Sequence, residues 1–273
     1  MPNHRLSGPR PRKSLGQHFL RDSGVLSDIV AAIELPPGGV VVEIGAGTGQ
    51  LTAALLDAGH EVIAIEIEPR LVRHLRETFS DDHLRIVPGD ARQLDFARVV
   101  PAGRQFVAVG NLPYFAANPI IRHLLESSPQ PQSLVVMVQR EVAREIAAPA
   151  GKCSLLSLGV QVYADAELLF DVRPEAFDPP PAVYSSVVRL RVRPTPLVPR
   201  PEIEAFFDFA SRAFRNPRKQ LHNALTRETA LTADQVVVTL SAAHIDGTRR
   251  AETLTIDEWQ SLMRAARAAR AAG

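Results

Sequence analysis

Five short runs rich in Val and Ile constrain this chain more than any other feature: Val40–Ile44, Glu61–Ile65, Leu84–Val87, Phe106–Gly110 and Leu134–Val138. They are largely unalternated, as strands buried on both faces of a parallel sheet are. Parallel strands need crossovers, and helix-like segments stand between them at Leu51–Ala58, Pro69–Thr78, Ile120–Glu126 and Arg140–Ala147. The order predicts a doubly wound α/β sheet. Two more strands are expected, at Glu167–Asp171 and Ser186–Arg193. In the second, Val187, Leu190 and Val192 interleave with Arg189, Arg191 and Arg193, so one face is wet and the strand reads as antiparallel.

The pattern changes after Arg193. Residues 194–201 carry four prolines, which cannot continue a strand and read as a stiff linker. Helices are expected at Glu202–Phe214, Lys219–Thr226, Ala233–Ala243 and Ile256–Ala269, with capping boxes at Thr232/Gln235 and Thr255/Glu258. The expected organisation is a main α/β domain over 1–193, a linker over 194–201 and a smaller all-α domain over 202–273. Composition (45% hydrophobic, 22% charged) is that of a soluble globular protein. Cys153 is the only cysteine, which excludes an intrachain disulfide and a cysteine-built zinc site and fits a reducing cytoplasm. No metal site is expected. No apolar run approaches a membrane span, no secretory signal is visible, and no leucine-rich seam suggests anything but a monomer. The net charge of +1 says nothing about partners, but Met1–Arg21 holds five basic side chains and no acidic one. Such an arm often meets nucleic acid, and a solvated tail is equally common.

The stretch "VVVEIGAGTGQLTAALL" reads as a buried strand, a glycine turn and a helix start. Gly45, Gly47 and Gly49 let the backbone approach a ligand. A dinucleotide site would want Gly or Ala where Gln50 stands, and Glu43 is expected to face the ligand where it would repel phosphates. Both disfavour a dehydrogenase and suit a cofactor with no phosphate and a cationic end, S-adenosylmethionine. Glu66 ends the next strand, where a carboxylate can accept both ribose hydroxyls. Asp90 follows the third, where it can accept an adenine amino group. Each acidic residue alone could be a mere cap, but three at successive strand ends register with the glycine turn.

The fourth strand runs into Asn111-Leu112-Pro113-Tyr114. The Asn111 side-chain oxygen and the carbonyl of Leu112 or Pro113 supply two acceptors, matching the two N–H bonds of an exocyclic amino group. Tyr114 adds a face on which a base can stack.

These segments together resemble the ribosomal RNA adenine N6,N6-dimethyltransferases, most closely the bacterial branch acting on small-subunit rRNA. "KSLGQHFL" (Lys13–Leu20), "EIGAGTGQLT", "IEIE", "GDA", "NLPY", "VRPEAFDPPPAVYSSVVRL" (Val172–Leu190) and "FRNPRKQLHNAL" (Phe214–Leu225) follow the family's motifs in order over nearly the whole chain. The resemblance implies a Rossmann-like methyltransferase domain. It implies a cofactor site formed by Gln17, His18, Leu20, Glu43, Gly45, Gly47, Glu66, Ile67, Asp90, Ala91 and Asn111. It also implies that Phe177 stacks on a flipped adenine opposite Tyr114. The implied reaction is dimethylation of two adjacent adenosines near the 3′ end of 16S rRNA in the small subunit or its precursor, with a role in subunit biogenesis. Asn118 and Pro217 depart from the family pattern. Arg12, Lys13, Arg215, Arg218 and Lys219 are the expected RNA contacts, helped by Arg212, Arg227 and the arginines of the 186–193 strand. The alternatives are a resistance-type enzyme acting on large-subunit (23S) rRNA and a non-catalytic assembly factor.

Overall fold

Val40–Ile44 forms the strand around which the sheet reverses direction. A computed structural model describes residues 9–12, 17–149 and 151–271. In chain order the first elements are β1 (Phe19–Leu20), α1 (Ser23–Ala31), β2 (Val40–Ile44), α2 (Gln50–Asp57), β3 (Val62–Glu66), α3 (Pro69–Thr78) and β4 (Leu84–Pro88). Next come α4 (Phe96–Val99), β5 (Phe106–Asn111), α5 (Ala117–Glu126), β6 (Ser133–Gln139), α6 (Arg140–Ile146) and α7 (Leu155–Gln161). Then follow β7 (Ala164–Val172), β8 (Phe177–Asp178), β9 (Ser185–Val192), α8 (Ile203–Phe214), α9 (Leu221–Glu228), α10 (Ala233–Ala242) and α11 (Ile256–Ala271).

The main sheet has seven strands in the order β4-β3-β2-β5-β6-β9-β7. The pairs β2/β3, β3/β4, β2/β5 and β5/β6 are parallel, and β9 runs antiparallel to β6, as its alternation predicts. The chain winds outward from β2 to β4, then returns to the other side of β2 at β5. Such a reversal opens a crevice at the carboxyl ends of the strands, the usual ligand position in open α/β sheets. Val40, Val41, Val42, Val107 and Val109 are fully buried. β4 is only half-buried because it is an edge strand with one unpaired flank. α5 begins three residues earlier than the apolar periodicity suggests, since Pro119 falls in its first turn, where a missing N–H costs nothing.

A second sheet pairs β1 with β8, Phe19 opposite Asp178 and Leu20 opposite Phe177. Strands of two residues carry no periodicity, so the sequence gives no sign of either. The Asp22 carboxylate caps α1 by accepting from the Val25 N–H at 3.0 Å.

The three arginines of the 186–193 strand do not form an RNA-facing stripe. Arg189 and Arg191 each pair with both Glu34 and Glu167, and Arg193 pairs with Asp165. Their charge is cancelled on the solvent face of the sheet.

The chain divides into two compact units, 1–144 with 165–193, and 145–164 with 194–273. Residues 145–164 therefore group with the helical unit and not with the α/β domain as the sequence suggests. α7 packs on α8, the Tyr163 and Phe207 rings stack at 6.5 Å, and the Leu197 N–H donates to the Val162 carbonyl at 2.9 Å. Residues 194–201 are no free linker either: Val198 is fully buried, and the Leu197 carbonyl accepts from Gln260. Trp259 is the centre of the helical unit, flanked by Phe209 and Phe214. Both expected capping boxes form, Thr232 with Gln235 and Thr255 with Glu258.

Candidate active site

The turn after β2 is built for close approach. Gly47 has φ 58°, and a Cβ there would lie 3.2 Å from the Phe19 ring. Its N–H donates to Glu66 Oε2 at 2.9 Å, while Glu66 Oε1 accepts from the Glu68 N–H at 2.9 Å. Both carboxylate oxygens are thus fixed by backbone, and burial raises the Glu66 pKa against those hydrogen bonds. Gly110 in β5 is equally constrained, because a Cβ would stand 2.4 Å from the Ile44 carbonyl oxygen.

A cavity of about 360 Å³ opens at these strand ends, within the size range of small-molecule sites. Its walls bring together Gln17, His18, Gly45, Gly47, Glu66, Ile67, Asp90, Ala91, Asn111, Leu112, Pro113 and Tyr114 from the expected set. They also include Phe19, Glu68, Arg92 and Phe115, which sequence reasoning passed over. The signal for Glu68 was present in "IEIE", where two glutamates stand two residues apart at a strand end.

Glu68 ties the N-terminal segment to the cavity. It accepts from Gln17 Nε2 at 2.7 Å and Arg70 Nε at 2.6 Å, and pairs with Arg12 at 3.4 Å. Gln17 Oε1 accepts from the Arg12 N–H at 2.8 Å. Burial pushes the Glu68 pKa up, but Arg70, Gln17 and Arg12 outweigh it and hold it low. Arg92 grips Asp90 through Nε and Nη2, the latter at 2.5 Å, and keeps its pKa low as well.

Three expected residues lie elsewhere. Glu43 is 1% exposed and absent from the walls. Side chains alternate along a strand, and Ile44 takes the cavity side, so Glu43 turns inward and accepts from Thr52 Oγ1 at 2.5 Å. Burial raises its pKa to about 7, opposed by the Thr52 hydrogen bond and helped by the nearby Glu66. Leu20 belongs to the core with Leu26, Val172 and Phe177, because its strand partner turns it away from the walls. Phe177 is 5% exposed in that same core and offers no face to the cavity.

The Asn-Leu-Pro-Tyr segment is rigid. Asn111 Nδ2 donates to the His18 carbonyl at 3.1 Å, which fixes the amide and turns Oδ1 the other way. The Leu112 N–H donates to the Met137 carbonyl at 3.1 Å, and the Pro113 carbonyl accepts from the Ala116 N–H at 2.9 Å. The Tyr114 ring stacks on His18 with centroids 6.1 Å apart, and its hydroxyl lies 3.2 Å from Ser185 Oγ. His18 Nδ1 lies 2.7 Å from the Pro179 carbonyl, so that nitrogen carries the proton.

The sequence profile of the ribosomal RNA adenine dimethylase family matches residues 8–267. The chain belongs to that family. Among similar proteins, the ribosomal RNA small subunit methyltransferase A of Desulfitobacterium hafniense is 42% identical over 260 residues, covering 94% of this chain and 93% of that one. Its namesake from Moorella thermoacetica is 40% identical, covering 95% and 94%. The crystal structure of the 23S rRNA methyltransferase ErmE superposes with a TM-score of 0.69 at 28% identity, over 90% of this chain and 98% of that one. A dimethyladenosine transferase from Plasmodium falciparum, 24% identical, shares the fold with a TM-score of 0.74 over 90% and 96%.

Enzymes of this dimethylase family use S-adenosylmethionine, and the cavity fits it. Glu68 and Asp90 are neutralised by Arg70, Arg12 and Arg92, whereas Glu66 has no ion-pair partner among the described residues, so its buried carboxylate disfavours a phosphate at this wall and suits ribose hydroxyls. Among the described residues no helix is long and apolar enough to cross a membrane. Of the expected RNA contacts, Arg12 is committed to Glu68, and Arg215 pairs with Glu228 at 3.5 Å. Arg218 and Lys219 are exposed and have no ion-pair partner among the described residues. Lys13 lies outside the described residues.

Proposed function

We infer that this dimethylase transfers methyl groups from S-adenosylmethionine to N6 of two adjacent adenosines near the 3′ end of 16S rRNA, in the small subunit or its precursor. The observation that carries the reading is the fixed Asn111 amide at the cavity edge, its Nδ2 held by the His18 carbonyl. Its Oδ1 accepts one N6–H of the target adenine. The Pro113 carbonyl already accepts from the Ala116 N–H, which makes the Leu112 carbonyl the freer second acceptor. Two acceptors draw the amino nitrogen toward a tetrahedral shape and localise its lone pair, which is otherwise delocalised into the ring. Tyr114, braced by His18 and Ser185, stacks on the base. Base unstacking has a cost that such a surface offsets.

When bound, S-adenosylmethionine supplies an electrophilic methyl carbon. Glu66 holds the ribose hydroxyls and Asp90 the adenine amino group, with Ile67 and Ala91 as apolar walls and Gln17 and His18 closing the side. Alignment of nucleophile and methyl carbon supplies most of the rate, a contribution of about 7–11 kcal/mol in well-oriented reactions. The small-subunit target is favoured by the 42% identity to a small-subunit methyltransferase, against 28% to a 23S enzyme.

Labelled S-adenosylmethionine, unmodified small subunits and naked 23S rRNA test the reading. Two methyl groups on each of two neighbouring 16S adenosines is the expected result. Label in 23S rRNA alone makes the large-subunit reading correct, and no label with tight subunit binding makes the chain an assembly factor.

A further inference from the structure

Two exposed, large apolar side chains border the cavity: Phe115, 68% exposed, and Ile67, 61% exposed. Their positions differ. Ile67 follows Glu66 on the cofactor side, whereas Phe115 follows the acceptor tetrapeptide. Leu112, Ala116 and Ala117 around it are buried, so α5 is anchored without an apolar ring at 115. A phenylalanine standing in water forfeits its burial free energy. Tyr184, the other exposed aromatic, is covered by the Arg140 guanidinium 4.6 Å from its centroid. Tyr114, held by His18 and Ser185, is taken by the base in the cavity. Among the described residues, no ring stacks on Phe115.

We propose that Phe115 is the stacking platform for the base next to the one in the cavity. This rests on the reading that two adjacent adenosines are modified. When either base occupies the cavity, the other is one backbone unit away, at the mouth. A hydrogen-bond acceptor for N6–H there would serve only one stage of the reaction, because a dimethylated adenine has lost both N6–H donors. An aromatic face reads no hydrogen-bonding edge and holds the neighbour before and after its modification.

The test compares F115A, F115L and F115Y with wild type in methyl transfer to unmodified small subunits, and measures S-adenosylmethionine Kd without RNA. F115A is expected to lower kcat/KM for subunits about tenfold, chiefly through KM, with cofactor Kd unchanged. Subunits labelled on a single adenosine should accumulate early. F115Y should match wild type and F115L should match F115A. Unchanged kcat/KM in F115A overturns the proposal. Weakened cofactor binding overturns it by assigning Phe115 to the cofactor wall, and full rescue by Leu reduces the contact to a plain apolar one. Wild type that labels only a lone adenosine or 23S rRNA instead refutes the functional reading and removes the neighbouring base.

Discussion

Glu43 is a carboxyl group with nowhere to place its charge, and replacing it with Gln tests that directly. It is 1% exposed, has one hydrogen-bond donor in Thr52, and feels a second carboxylate in Glu66. The fold therefore prefers it protonated, with a pKa of about 7 against an ordinary 4.5. Between those two pH values the folded chain holds a proton that the unfolded chain has released. Stability from this group is full below pH 4.5 and is lost as pH rises through about 7. At 1.36 kcal/mol per pH unit the loss comes to about 3 kcal/mol. Glu43→Gln keeps the acceptor for Thr52 and removes the titration, leaving a pH-independent cost of about 1–3 kcal/mol for the new amide donors. Urea unfolding of both proteins from pH 4 to 8.5 should show wild type losing about 3 kcal/mol more than the variant. Parallel curves would mean that Glu43 stays ionised in the fold and would refute the reasoning.

Asn111→Ala removes an acceptor that strengthens as charge develops, so kcat should fall about 10²–10³-fold while subunits still bind; single-turnover transfer with filter binding checks both, and near-normal turnover sinks the mechanism. Glu66→Ala should weaken S-adenosylmethionine about 10–100-fold and RNA little, since a charged hydrogen-bond acceptor is removed on the cofactor side only; calorimetric titration with each ligand separates the two. Replacing Arg218 and Lys219 together with Ala should weaken RNA binding and lower the salt slope by about two, one for each phosphate no longer neutralised; an unchanged slope marks them as a solvated face.

The sheet was legible because Val and Ile runs buried on both faces leave few alternatives, and the glycine turn, Glu66, Asp90 and Asn111 followed from strand ends. The direction of Glu43 was not, because an unalternated strand gives no clue to which face a given side chain takes. The neutralisation of Arg189, Arg191 and Arg193 was hidden for another reason: Glu34 lies more than 150 residues from the arginines it meets. Phe177 was read as an adenine wall from its motif alone, whereas its pairing with Leu20 decides its burial. Residues 145–164 carried no signal of their own unit, since α7 is short and apolar and the contacts that join the segment to the helical unit, Tyr163 with Phe207 and Val162 with Leu197, are with residues distant in the sequence.

The pairing of β1 with β8 has a consequence for how this enzyme comes into being. Gln17, His18 and Phe19 form one wall of the cavity. The strand that pairs with Phe19 and Leu20, at Phe177 and Asp178, emerges more than 150 residues later. Over that stretch of its translation the chain holds a pocket wall whose strand lacks its partner. A protein that modifies ribosomes thus completes this wall of its own site only once a ribosome has made β8.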